Sequence, residues 1–320
     1  MLTNIFMVLA GFLLLIKGSE YFVSGSASLA RRLGIPALVV GLTIISIGTS
    51  APELFVNVIA AFKGAPDLSI GNVLGSNLAD IFLGLGIAAI IVPLTLKSST
   101  VWKEIPFSLL AAVFIFVFGS DYLLDGILPN AVTRSDGIAL LGMFIIFMVY
   151  TLGIKKSGEQ PQEHIEVLPL SKTVWSIVGG VVGLALGGYI TVEGAVGIAG
   201  TMGLSQNLIG LTVVAAGTSL PEIMTAIAAA RKNHVDLVVG GIVGTIIFNA
   251  LFVLGTTAVL HPLPFATDNI VDSLVVIAAT VLLFISLFTG KGSQRTISRR
   301  EGIFFVVLYV AYLVFAVVRG

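Results

Sequence analysis

Ten apolar stretches, each long enough to cross a lipid bilayer, follow one another along the chain with little polar sequence between them. They run roughly over 3–24, 36–62, 70–93, 105–123, 136–154, 173–196, 207–230, 238–261, 270–289 and 301–318. A spanning helix needs about 20 mostly apolar residues. Backbone in hydrocarbon must satisfy its own hydrogen bonds, and a helix does so within one segment. Composition agrees, with 11% charged residues against about 25% in a soluble chain. The longest polar connection, Lys155–Lys172, leaves no room for a soluble lobe. The chain reads as an all-α integral membrane protein of ten transmembrane helices.

The first cation, Lys17, follows the apolar run Ile5–Ile16 instead of preceding it, so the first helix is expected to be retained. Basic residues set the orientation. With the N-terminus outside, the inner loops collect Arg31, Arg32, Lys97, Lys103, Lys155, Lys156, Lys172, Arg231, Lys232, Lys291, Arg295, Arg299 and Arg300. The outer side collects only Lys63, Arg134 and Arg319. This positive-inside bias predicts a cell-membrane protein with both termini extracellular.

Shifted by 169, the sequence matches itself. Gly41-Leu-Thr-Ile-Ile-Ser-Ile-Gly-Thr-Ser-Ala-Pro-Glu53 lies over Gly210-Leu-Thr-Val-Val-Ala-Ala-Gly-Thr-Ser-Leu-Pro-Glu222. Gly18, Gly25, Gly75, Gly86 and Pro93 likewise meet Gly187, Gly194, Gly244, Gly255 and Pro262. The match covers three helices of each half and fades afterwards. Two repeats are expected, 1–154 and 173–320, joined by the loop 155–172. Five spans per repeat is an odd number, so the second copy enters from the opposite face. Inverted repeats meeting at the midplane are an architecture of secondary transporters.

Oxygen donors crowd the matched motifs. Thr49 and Glu53 are four apart and share a helix face, as do Thr218 and Glu222. Pro52 and Pro221 each lack an N–H and crowd the carbonyl four residues back, at Gly48 or Gly217, so a break is expected there. Backbone oxygens around Ser46–Thr49 and Ala215–Thr218 become candidate cation ligands, since a freed carbonyl in a bilayer needs protein, water or an ion. The third span of each half adds Ser76 and Asp80, matched by Thr245 and Asn249. Glu53, Glu222 and Asp80 together place on the order of 8–10 kcal/mol at risk unless cations or protons compensate them.

Several classes fall away. A formal net charge of zero argues against a nucleic-acid partner. Cysteine is absent, and His164, His234 and His261 lie in or beside polar connections, so ion chemistry must use oxygen. No His-Glu-x-x-His or other catalytic arrangement stands outside the repeats, so no enzyme and no cofactor are expected. Carboxylates with hydroxyls and carbonyls suit hard cations such as Ca²⁺, and the same oxygens can take Na⁺. Lipid and these ions are the expected partners, with no obligatory protein partner. A proton/cation exchanger, using Asp80 as proton carrier, and a cation channel are the rival readings.

At these residues the sequence resembles the cation/calcium antiporter superfamily, most closely its prokaryotic sodium/calcium exchanger branch. The two Gly-Thr-Ser-x-Pro-Glu motifs and Gly71-Asn-Val-Leu-Gly-Ser-Asn77 carry the resemblance. It implies Ca²⁺ ligation by Glu53 and Glu222 with the carbonyls of Thr49 and Thr218. It also implies Na⁺ sites from the side chains of Thr49, Ser50, Ser76, Thr218, Ser219 and Thr245 and the carbonyls of Ser46 and Ala215. Polar residues at Asp80 and Asn249 would complete the centre, and the first and sixth helices would slide against the rest. This chain departs from the pattern at Thr245, where serine is usual, and at Gly241 and Ile246, which replace framing asparagines. It also carries the acid of the Asp80/Asn249 pair in the first half.

Overall fold

A computed structural model describes residues 1–32, 46–96, 100–126, 128–154, 167–231, 233, 235–289 and 295–319. The helices are α1 (Leu2–Arg32), α2 (Ser46–Thr49 and Ala51–Phe62), α3 (Pro66–Ile91), α4 (Val101–Gly119), α5 (Arg134–Ile154) and α6 (Leu170–Met202). They continue as α7 (Gln206–Thr218 and Leu220–Arg231), α8 (Val235–Phe248, running on through Leu254–Leu260), α9 (Thr267–Ser286) and α10 (Arg299–Arg319). Eight are long and apolar enough to cross a membrane, and nine with the bent α7, among the described residues. Only the second part of the span expected at 36–62 lies within them, and so do neither His164 nor His234.

α1 and α6 outrun the expected 3–24 and 173–196. At 31 and 33 residues, they measure about 46 and 50 Å, against ~30 Å of hydrocarbon. Packing against each other carries the helices past their apolar runs. Gly11, Gly18 and Gly25 recur every seven residues along α1, and Gly180, Gly187 and Gly194 do so along α6. A Cβ on Gly18 would come 2.7 Å from the Leu184 nitrogen, and one on Gly187 would come 2.8 Å from the Leu15 nitrogen. Small residues let the backbones touch where no hydrophobic effect draws helices together. Beyond the glycines, Ser28 and Thr173 join hydroxyls at 2.9 Å, and the Leu168 N–H donates to Ser28 Oγ at 3.0 Å.

The centre belongs to α3 and α8. Each span is 78% buried, against 24% for α1 and 28% for α6. The halves interlock through their last helices. α10 lies against α3, where a Cβ on Gly86 would sit 3.1 Å from the Gly302 carbonyl. α5 lies against α8 with the same 3.1 Å between Gly255 and the Gly137 carbonyl. Two antiparallel strand pairs fasten these exchanges: β1 (Leu94–Thr95) with β4 (Thr296–Ile297), and β2 (Ala131–Val132) with β3 (Leu263–Pro264).

Beyond the third helix the self-match at 169 ends. It resumes with an offset of 165. Thr133-Arg-Ser-Asp-Gly-Ile138 corresponds to Ser298-Arg-Arg-Glu-Gly-Ile303. Ser108 Oγ donates to the Ile105 carbonyl at 2.8 Å, as Ser273 Oγ does to Ile270. Leu94 to Ser108 is fourteen steps, while Leu263 to Ser273 is ten, and those four extra residues hid the alignment.

Several polar and aromatic surface residues make local contacts. Lys17 and Glu20 pair at 2.6 Å with both side chains exposed. Trp102 and Trp175 are exposed, and the Arg295 guanidinium lies 5.1 Å from the Trp102 ring centre. Asp121 is half-buried and accepts the Ala131 N–H at 3.0 Å, which ties down a turn.

Candidate ion site

Both motif helices break, but two residues beyond the carbonyls named from the sequence. Ser50 and Ser219 leave the helix, with ψ of 6° and 0°, against about −42° in a regular helix. Proline is tolerated at the start of the segment that follows each. The two parts of α7 meet at 42°. The Ala215 carbonyl is already engaged, accepting the Ser219 N–H at 3.0 Å and Thr218 Oγ1 at 3.3 Å.

The break redirects the side chains. Thr49 and Glu53 share a face only on a continuous helix, and here the helix is interrupted between them. The Thr49 hydroxyl faces Glu222 instead, and Thr218 and Ser76 face Glu53. Ser50 Oγ donates to Glu222 Oε1 at 3.3 Å, and Ser219 Oγ donates to Glu53 Oε1 at 3.4 Å. Each serine thus serves the glutamate of the other half. The second oxygen of each carboxylate, Oε2, has no hydrogen-bond partner among the described residues.

Ser50, Glu53, Ser76, Asp80, Ala215, Ser219 and Asn249 are buried at 0%, Thr218 at 1%, Thr245 at 2% and Glu222 at 4% exposure. Thr49 is half-buried. Ser76 and Thr218 hydroxyls lie 3.5 Å apart. Asp80 and Asn249 each open a π-helical turn, Asp80–Leu85 and Asn249–Val253, and such turns gather at functional sites. Both side chains are without hydrogen-bond partners among the described residues. Among the described residues, no three acidic or imidazole groups converge on one metal-sized position.

Some polar residues were not singled out from the sequence. Thr218 Oγ1 donates to Asn72 Oδ1 at 3.2 Å, and Asn72 Nδ2 donates to Asn57 Oδ1 at 3.1 Å. Ser69 Oγ donates to the Asn57 carbonyl at 3.2 Å. Asn57 follows Glu53 by one turn, a spacing that could have marked it. The matched positions Ala226, Val238 and Gly241 are apolar, so this extension belongs to one half. Glu193, inside α6, pairs with Lys63, whose Nζ lies 3.3 Å from the Tyr189 ring centre.

Buried, oxygen-lined carboxylates between two equivalent helix breaks in a multi-pass membrane protein define a secondary cation antiporter, not an enzyme. Comparison with known proteins gives the same class. The chain belongs to the sodium/calcium exchanger protein family, whose model matches residues 3–153 and 172–318. It is 35% identical over 267 residues to the inner membrane protein YrbG of Escherichia coli (strain K12), covering 80% of this chain and 79% of that one. It is 28% identical over 346 residues to the sodium/calcium exchanger MaX1 of Methanosarcina acetivorans, covering 97% of each. Among solved structures, the sodium-calcium exchanger NCX_Mj soaked with Na⁺ and no Ca²⁺ matches with a TM-score of 0.67. Identity there is 31%, over 98% of both chains.

Proposed function

We propose that this protein exchanges Na⁺ for Ca²⁺ by alternating access, with both ions competing for one site between the two Gly-Thr-Ser-x-Pro-Glu breaks. The reciprocal bonds Ser50 to Glu222 and Ser219 to Glu53 carry the reading. They bring the two acids to one place and leave an oxygen of each free to meet a cation. Glu53 and Glu222 take Ca²⁺ with the Thr49 and Thr218 carbonyls. Na⁺ uses the hydroxyls of Thr49, Ser50, Ser76, Thr218, Ser219 and Thr245 and the Ser46 and Ala215 carbonyls. Asp80 and Asn249 complete the centre. The two glutamates balance one Ca²⁺ or two Na⁺, with Asp80 either admitting a further charge or holding a proton, and an empty site is costly to move.

The repeats 1–154 and 173–320 are inverted about the midplane, and both termini face outward across the cell membrane. The glycine seam makes α1 and α6 one body, which slides past the breaks to open each side in turn. Proteoliposomes loaded with Na⁺ should take up ⁴⁵Ca²⁺ in proportion to the Na⁺ gradient. Uptake that follows a pH gradient and ignores Na⁺ would instead favour proton exchange, with Asp80 carrying the proton. Ser76→Ala and Thr245→Ala should each raise the Na⁺ concentration for half-activation about three- to tenfold, the worth of one hydrogen-bonding ligand. Ca²⁺ half-saturation should move less. An unchanged Na⁺ activation curve would count against these two ligands.

A further inference from the structure

α10 faces α3 as α5 faces α8, and with the offset of 165 their residues can be compared one by one. Phe305 packs on Phe82 with ring centres 5.9 Å apart, and one turn further along is Tyr309, on the helix that packs against the Asp80–Leu85 turn. Its counterpart Phe144 packs on Phe248 and Phe252, at 5.4 and 5.0 Å, astride Asn249. The next turn repeats the difference. Tyr312 Oη donates to Asp272 Oδ1 at 2.8 Å, and Arg319 Nη2 donates to Oδ2 of the same carboxylate at 2.8 Å. In the other half Phe147 stacks on Phe107 at 5.0 Å. Tyr309 against Phe144, Tyr312 against Phe147, Asp272 against Phe107 and Asp80 against Asn249 all differ in one sense. The hydroxyls accompany the acid.

Tyr309 is 4% exposed, and its hydroxyl and both Asp80 oxygens have no hydrogen-bond partner among the described residues. A tyrosine serving only as core would gain nothing from its oxygen, since burying a hydroxyl without a partner is unfavourable. Phe144 shows that the same position accepts a bare ring.

We propose that Tyr309 is a positioning residue of the transport site: its hydroxyl donates through one water to the Asp80 carboxylate and fixes where that acid sits relative to Glu53 and Glu222. Tyr312, Asp272 and Arg319 hold α10 at the depth this requires. Asn249 is uncharged and brings its own N–H donors, so Phe144 suffices beside it. The inference rests on the reading of Asp80 as part of the ion site.

The test uses the full chain in proteoliposomes. Tyr309→Phe should raise the Ca²⁺ half-saturation about tenfold, as loss of a hydrogen bond to a charged group does, with an unchanged thermal midpoint. An acid-swapped chain, Asp80→Asn with Asn249→Asp, should exchange slowly, and adding Phe144→Tyr should restore it about fivefold or more by supplying the same bond. Wild-type half-saturation in Tyr309→Phe, or no gain from Phe144→Tyr on the swapped pair, overturns the assignment. Asp80→Asn with unaltered Ca²⁺ and Na⁺ dependence would instead remove Asp80 from the site, and Tyr309 with it.

Discussion

Glu53→Gln or Glu222→Gln should abolish Na⁺-driven ⁴⁵Ca²⁺ uptake, with a loss of at least ~100-fold, or about 2.7 kcal/mol, in a protein that stays folded. Glutamine is nearly isosteric and keeps an oxygen to accept from Ser219 or Ser50, so the reciprocal bonds survive. What disappears is one of the charges that balance a divalent ion. The free oxygen of that carboxylate is replaced by an amide nitrogen whose protons face the cation. Ca²⁺ affinity follows the charge count of its ligands, so one amide is enough. Folding should respond the other way, because a neutral amide costs less to bury than a carboxylate. The thermal midpoint in detergent without Ca²⁺ should therefore hold or rise. Normal uptake by either variant would remove the glutamates from the site, and a collapsed midpoint would make them structural.

Much of this architecture was legible because hydrocarbon leaves few options. The apolar runs gave the helices, and the doubled Gly-Thr-Ser-x-Pro-Glu motif gave the acids and hydroxyls that meet at the centre. Which hydroxyl serves which glutamate was not legible. The four-residue spacing of Thr49 and Glu53 supposes an unbroken helix, and proline moves the break to lie between them, at Ser50. A turn of backbone there hands each hydroxyl to the opposite half. The second part of the repeat was hidden for a simpler reason, since four extra residues before α4 shift the offset from 169 to 165. Without that alignment Tyr309 and Phe144 cannot be compared. Nor could the sequence show that α1 and α6 touch, although the seven-residue glycine spacing common to both was present to be read.

Gly75→Ala should be the most damaging small substitution away from the acids. A Cβ there would lie 2.2 Å from the Leu211 carbonyl oxygen and 2.7 Å from the Ala215 Cβ. Both obstacles are backbone or bound tightly to it, so no side chain can swing aside. α3 must instead move away from α7, by roughly 1 Å if ordinary contact is to be restored, and overpacking of this kind costs about 1–3 kcal/mol. The neighbouring residue makes the shift matter. Ser76 stands 3.5 Å from the Thr218 hydroxyl across the same contact, so a separated pair of helices also separates two oxygens of the proposed ion site. Exchange should fall about tenfold or more, together with a lowered thermal midpoint. Gly179→Ala is the control, on an exposed face of α6 with nothing within 4 Å among the described residues, and it should leave both unchanged. Equal behaviour of the two variants would mean that α3 and α7 do not meet at Gly75. The oxygen cage would then have to be assembled from other helices.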